Sequence, residues 1–545
     1  VNIGSWLSLE DYFFAGQHNS IEVATPGQFK TGDAKQVASC LPPLHVGKIT
    51  GPKWYSETDL FMNLMNNVTT TNGSVQHAIS VFQAHRSSYV DLEIDLNRIA
   101  SLGIKTIRIP MSWCLTDYDP RHTDLSNYTD TVLLNRFACI DPFFNHTTSE
   151  GNNITESNTN KSNTKSNTTT IYWPAIPKPF IEDILKACSR VGLRASLDVH
   201  TYPGGTSIGT FSGVWPNWPK FWTNGGDGYG NGKNGKNIGH ILFHELVSWM
   251  EELSIRDPFA FNGLRGLSPM NEPAHLAGNF YIDDEDNFLP PLPDDLAMKY
   301  RKQLSRTSSS SSTEESDLES DFPDGTHLRV LYWFHGAIDI FRNSKLPSLG
   351  KELHANIHES VFKELSSNSS KVDAQMRYTA VANWWLEERS TWAILDVHHY
   401  HAWSDTCSGT IDGQDNAAYA CGDIDKRHKV LKGCARWAQT FRDIIDTQYQ
   451  VKLMSAEFSS ASHHNSRKSC NDIGGLRESY VRQVNAGEKA DVELFYWSYQ
   501  MPYGGTFRQA WSFTQLMYNL GVVDRPDTPQ FDCDSNSIYD NEIPP

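Results

Sequence analysis

Short apolar runs alternate along this chain with longer segments in which apolar positions return every three or four residues. The short runs read as buried strands, and the longer segments as helices packed through one face. VNIGSWL (1–7) reads as a strand; FQAHRSSYVDLEIDLNRIASLG (82–103) reads as one helix, with Val90, Ile94 and Ile99 on a shared face and Gly103 as its cap. IKTIRIP (104–110) is the next strand. The alternation continues through helix 179–192, strand 193–200, helix 240–253, strand 264–270 and helix 328–343, and strands recur at 377–385, 392–400, 451–457 and 491–499. Eight strands with helices between them predict an α/β protein, a closed parallel (β/α)8 TIM barrel, with 1–545 as a single catalytic domain.

Two segments break this pattern. Those at about 145–170 and about 303–325 have no apolar period and are crowded with Ser, Thr and Asn, so they read as disordered or mobile insertions. A third, about 24–75, is rich in Gly, Pro and Asn and reads as an extended N-terminal loop.

Charge narrows the partners. With 47 Lys and Arg against 64 Asp and Glu, the net charge of −17 repels phosphate backbones and anionic lipid surfaces, so no nucleic acid partner is expected. No apolar segment approaches the roughly 20 residues that cross a bilayer, and a monomer without a membrane span is expected. Eight Asn-x-Ser/Thr sequons, at Asn67, Asn72, Asn127, Asn145, Asn153, Asn160, Asn167 and Asn368, fit a glycosylated secreted or lumenal protein whose leader is absent from this sequence. Nine cysteines predict several disulfides in an oxidising compartment, and the odd number leaves at least one unpaired within the chain. The 16 tryptophans supply flat faces suited to sugar rings, although core packing accounts for most such residues.

The last residues of the predicted strands carry the chemistry. They are Arg108, His200, Asn271 with Glu272, His398 with Tyr400, Glu457 and Trp497, polar groups for the most part at the ends of apolar runs. Glu272 follows the fourth strand and Glu457 the seventh, so closure of the barrel sets two carboxylates across its mouth. Paired carboxylates cleave glycosidic bonds: one protonates the leaving oxygen while the other attacks the sugar or activates water. A gap of about 5 Å predicts retention of configuration, and one of about 6.5 to 9.5 Å predicts inversion. DVHHYHAW (396–403) invites a metal reading, but strand alternation turns His399 and His401 apart from His398, so no metal and no cofactor is expected. His200 and His398 read instead as hydrogen-bonding residues lining the site.

In order along the chain, VNIGSWLSLE, DLNRIASLGIKTIRIPMSW, LDVHTYPGG, MNEP, DVHHYHAW, AEFSS and FYWSYQMPYGGTFRQAWSF resemble motifs of glycoside hydrolase family 5, in its exo-β-1,3-glucanase-like branch. The resemblance implies a retaining β-glycosidase acting on β-linked glucose, with Glu272 as acid/base and Glu457 as nucleophile. It further implies that Arg108 holds Glu457 ionised and Tyr400 steadies it, that Asn271 binds the sugar 2-hydroxyl, and that Trp497 forms a platform under the reacting sugar. Glu10 resembles a sugar-hydroxyl ligand, and Phe211 and Trp403 an aromatic pair at the entrance, with Trp403 standing where the family has phenylalanine. The expected substrate is an oligo- or polysaccharide such as β-1,3-glucan. The alternatives are a steryl or lipid glucoside, transfer of glucose to a sugar acceptor, or a barrel that binds glycans without catalysis.

Overall fold

The computed structural model describes residues 1–10, 13–14, 54, 56–66, 74–144, 170–206, 213–214, 221, 237–272, 326–356, 391–403, 410–411, 414–415, 421, 423–445, 451–462, 470–501 and 508–525. The predicted strand 377–385, the 303–325 insertion and all but the last residue of the 145–170 insertion lie outside them.

Seven strands form the main sheet: β1 (Thr106–Ser112), β2 (Arg194–Thr201), β3 (Leu264–Ser268), β4 (Glu352–Asn356), β5 (Ala393–His398), β6 (Lys452–Phe458) and β7 (Val492–Tyr496). Their order in the sheet follows their order in the chain, and every pair is parallel. Parallel neighbours need a crossover, and two helices show how it is built here. The helix Lys178–Val191 presses Phe180, Ile181, Ile184, Leu185 and Cys188 into the core and stops at Gly192, whose φ of 73° suits a residue without Cβ. The helix Ile238–Arg256 begins at Asn237, whose side chain accepts from the His240 amide.

The sheet curls until both edges meet the same segment. Ile3 donates to the Arg108 carbonyl at 2.8 Å, and Arg108 donates back to Val1 at 2.9 Å. On the other edge Asn2 donates to the Tyr496 carbonyl at 3.0 Å, and Tyr499 donates to Asn2 at 2.7 Å. Regular pairing in this segment is limited to one bridge, Asn2 to Arg108, so the expected strand 1–7 is shorter than its sequence suggests.

Two further expectations need correction. The single helix at 82–103 is two, Val75–Tyr89 and Ile94–Ser101, because Val90 is extended and the Asp91 side chain accepts from the Glu93 and Ile94 amides, starting a new helix. Ile94 therefore faces solvent. The stretch 24–75 is not loop throughout, since Glu57–Asn66 is helical, with Leu60, Phe61 and Leu64 buried. Between β3 and β5 the sheet holds Glu352–Asn356, a strand not expected from the sequence.

That strand escapes sequence reading because its inward residues are polar. Glu352, His354 and Asn356 alternate with Leu353 and Ala355, and His354 meets Ser196 of β2 at 2.7 Å. At the same end Arg265 reaches Glu352 at 2.7 Å, Glu493 at 2.5 Å and Thr106 at 3.1 Å, tying together β1, β3, β4 and β7. Polar side chains thus line part of the sheet's interior, and Ile394, Met454, Ala456 and Phe495 form an apolar cluster of their own.

Two disulfides, Cys114–Cys139 and Cys421–Cys470, join described residues, Cys434 is also disulfide-bonded, and Cys188 is free and buried. Among the described residues no helix is long and apolar enough to cross a membrane. Asn127, the one sequon asparagine within them, is exposed.

Candidate active site

Parallel strands in sequential order bring their C-terminal ends to one rim, and the predicted polar residues gather there. Glu457 lies near the end of β6 and is almost fully buried. Glu272 follows β3, half-buried, with a backbone φ of 40°, in the left-handed region that favours glycine. Carboxylate oxygens of the two and Nδ1 of His398 lie within 4.8 Å of one another. That separation falls on the short side of the two spacings glycosidic chemistry uses, about 5 Å against about 6.5 to 9.5 Å.

Glu457 is held from three sides. Arg108 Nη1 donates to Oε1 at 2.7 Å, the Tyr400 hydroxyl donates to Oε2 at 2.6 Å, and His398 Nδ1 stands 3.3 Å from the same Oε2. His398 Nδ1 is also 3.0 Å from Glu272 Oε1, so one imidazole nitrogen sits between both acids. Arg108 is buried, not at an exposed rim, and both of its terminal nitrogens are engaged: Nη1 also donates to Asn2 Oδ1 at 3.0 Å, and Nη2 reaches Asn271 Oδ1 at 2.7 Å and Asp198 Oδ2 at 2.9 Å.

Electrostatics follow from this packing. Burial works against the Arg108 charge, but Asp198, Glu457 and Asp396 outweigh it and hold the guanidinium above its ordinary range. Burial likewise opposes the His398 charge, yet Glu457 and Asp396 raise it well above the ordinary histidine value. Glu457 is pushed up, first by burial and further by Glu272, against the pull of His398 and Arg108. Burial pushes Asp198 up, but Arg108 and His200 more than compensate and bring it down to about 2.

The remaining predicted residues divide clearly. His200 joins the cluster, with Nδ1 2.9 Å from Asp198 and Nε2 3.4 Å from Asn271 Nδ2 and 3.8 Å from Glu10 Oε1. Glu10 is buried on the same wall, on a segment whose Leu9 amide donates to Glu57 at 3.1 Å. Trp497 follows β7 and stacks on His200, centroids 6.0 Å apart and planes 8° from parallel. Gly4 makes room for it, since a Cβ there would lie 2.9 Å from Trp497 Cζ2. Phe211 lies outside the described residues, and of Trp403 only its place at the end of a short 3-10 helix is described.

Sequence reasoning passed over Asn2, Asp198 and Asp396. All three are buried and touch the cluster. A signal for the two aspartates was present: Leu-Asp-Val-His occurs at 197–200 and again at 395–398, and period-two alternation puts each Asp on the same strand face as its His.

Glu272, His398 and Glu457 are also a geometry that could hold a metal ion. The charges present fit a cation poorly, because Arg108 already neutralises Glu457 and His398 Nδ1 stands at hydrogen-bond distance from Glu272. The cluster reads as a hydrogen-bonded acid pair.

No family model matches the chain, and no curated protein matches it. Solved structures similar to it include rutinosidase from Aspergillus niger, at 11% identity and a TM-score of 0.45 over 96% of this chain and 95% of that one. A broad specificity endoglucanase from Bacteroides salanitronis follows at 13% identity and a TM-score of 0.34, over 76% and 78% of the two chains. A glycoside hydrolase family 5 enzyme from Prevotella bryantii B14 has 11% identity and a TM-score of 0.30, over 78% and 84%. At these scores the functional reading rests on the geometry of the site.

Proposed function

We propose that this protein is a retaining β-glycosidase built on a closed (β/α)8 barrel, with residues 1–3 as the strand that joins β7 to β1. The observation that carries the reading is the short gap between Glu272 and Glu457, within 4.8 Å oxygen to oxygen. A gap that small leaves no room for a water between carboxylate and sugar, so the carboxylate itself attacks.

Glu457, paired with Arg108 and Tyr400, attacks the anomeric carbon while Glu272 gives its proton to the leaving glycosidic oxygen. The bond to the leaving group breaks and an ester to Glu457 forms. Glu272, now ionised beside His398, takes a proton from water as that water attacks the same carbon, and Glu457 leaves as carboxylate. Two carboxylates this close resist being charged together, which keeps a proton on Glu272 while Glu457 is free and weakens its hold once the ester neutralises Glu457. Asn271, fixed by Arg108, offers its amide toward the sugar 2-hydroxyl, and Trp497 and Glu10 line the same pocket.

The substrate class is β-linked glucose, with β-1,3-glucan favoured by the exo-glucanase-like motifs and a steryl or lipid glucoside, or transfer to a sugar acceptor, as the alternatives. Disulfides and sequons support a secreted or lumenal site of action.

Hydrolysis of an aryl β-glucoside tests the reading. Glu457→Gln and Glu272→Gln are each expected to lower kcat/KM by about a thousandfold with the fold intact. Proton NMR of the first-formed sugar should show the β anomer. Wild-type rates in Glu457→Gln, or an α product, would overturn the assignment. Product analysis on laminarin and on a steryl glucoside then separates the substrates.

A further inference from the structure

The end of β6 is irregular where it matters. Met454 pairs with Asp396 and Glu457 with His398, so β6 advances three residues while β5 advances two. One extra residue in a strand is a bulge, which bends the chain and re-aims the side chain beyond it. Here that side chain is Glu457.

Both polar groups of the bulged Ala456 are held by side chains. Its amide donates to Asp396 Oδ1 at 2.8 Å, and its carbonyl accepts from Asn2 Nδ2 at 2.5 Å. The other oxygen of Asp396, Oδ2, lies 3.6 Å from His398 Nε2, an ionic contact longer than a hydrogen bond. The opposite nitrogen of that imidazole is the one standing between Glu272 and Glu457. A single buried carboxylate therefore touches the backbone that presents one acid and the ring that bridges both.

Resting on the glycosidase reading, we propose that Asp396 is a positioning residue: through Ala456 it sets where Glu457 points, and through His398 it sets the donor shared by the two acids. An amide could perform the first task, but only a carboxylate performs the second. Asp396 meets no substrate in this arrangement. Among the described residues the charged and titratable groups around His398 are Asp396 on its own strand, Glu457 on β6, Glu272 after β3 and, beyond Glu457, Arg108 on β1 and the Tyr400 hydroxyl. His354 on β4 also feels the Asp396 charge.

Two variants separate the tasks. Asp396→Asn keeps an oxygen for the Ala456 amide and loses the charge; Asp396→Ala loses both. With active sites counted by a slow fluoro-glucoside, kcat per site is expected to fall about tenfold in the first and about a hundredfold in the second, with KM within about threefold. The alkaline limb of kcat/KM in Asp396→Asn should move down by about one pH unit, because the imidazolium loses a neighbouring negative charge. Unchanged turnover per site and an unchanged pH profile in Asp396→Asn would overturn the proposal, and this variant carries the test should Asp396→Ala not fold.

If the wild-type protein turns over no β-glucoside, the glycosidase reading fails by itself. Histidine-selective NMR on the full chain then decides the geometry. The His398 resonance, identified by its loss in His398→Gln, should titrate at lower pH in Asp396→Asn than in wild type, and coincident curves would sink the inference.

Discussion

At the scale of single residues, Glu272 shows how a site can oppose the stability of its own backbone. Its φ of 40° is one that side chains with a Cβ rarely adopt, and such positions cost on the order of 1 to 3 kcal/mol. Glu272→Gly should therefore be more stable than Glu272→Ala by about 1 kcal/mol, the reverse of their order at an ordinary loop position. Urea denaturation of both inactive variants measures it, and an Ala variant as stable as Gly would remove the strain. The residue itself was legible from Asn-Glu-Pro at the end of an apolar run. Its strain was not, because a dihedral angle is imposed by the contacts that hold both ends of the turn.

At the scale of elements, strands that run through several apolar residues were legible, and the strand with only Leu353 and Ala355 between polar residues was not. Leu353 and Ala355 are too few to mark β4, and its partners, Ser196 and Arg265, come from distant parts of the chain. The same non-locality governs the N-terminal segment, where Gly4 passes against Trp497. In Gly4→Ala the added carbon would sit 2.9 Å from the indole and 3.0 Å from Phe13 Cζ, so the indole must move. A stability loss of about 1 to 3 kcal/mol is expected, accompanied by a rise in KM for an aryl β-glucoside. Lost stability with an unchanged KM would make Trp497 a core residue and take it out of the sugar site.

At the scale of the whole molecule, buried acids of opposite tendency shape the pH dependence of folding. Burial raises Glu57 to about 7, against the pull of Arg86 and the donors Leu9 and Ser8. An acid whose folded value is raised contributes its full stability below the unfolded value of 4.5 and loses it as pH climbs through about 7. Asp198, held at about 2, acts in the other direction: its contribution is present above 3.8 and lost as pH falls toward about 2. Glu57→Gln should thus match wild type near pH ~5 and exceed it by about 3 kcal/mol near pH ~8, read from urea unfolding at the two pH values; parallel curves would mean that Glu57 titrates normally. The sequence by itself determined the alternation of strands and helices, the strand ends at which acids, histidines and Arg108 stand, and the acidic balance of the chain. All of these follow from local periodicity and composition, which a linear reading can see. Only the tertiary structure decided the distance between Glu272 and Glu457, the burial of Arg108 among Asn2, Asp198 and Asn271, the bulge at Ala456 and the clamp of Glu57 on the segment bearing Glu10. Those arise where segments far apart in the chain share one low-dielectric interior, and no local pattern encodes which of them will meet.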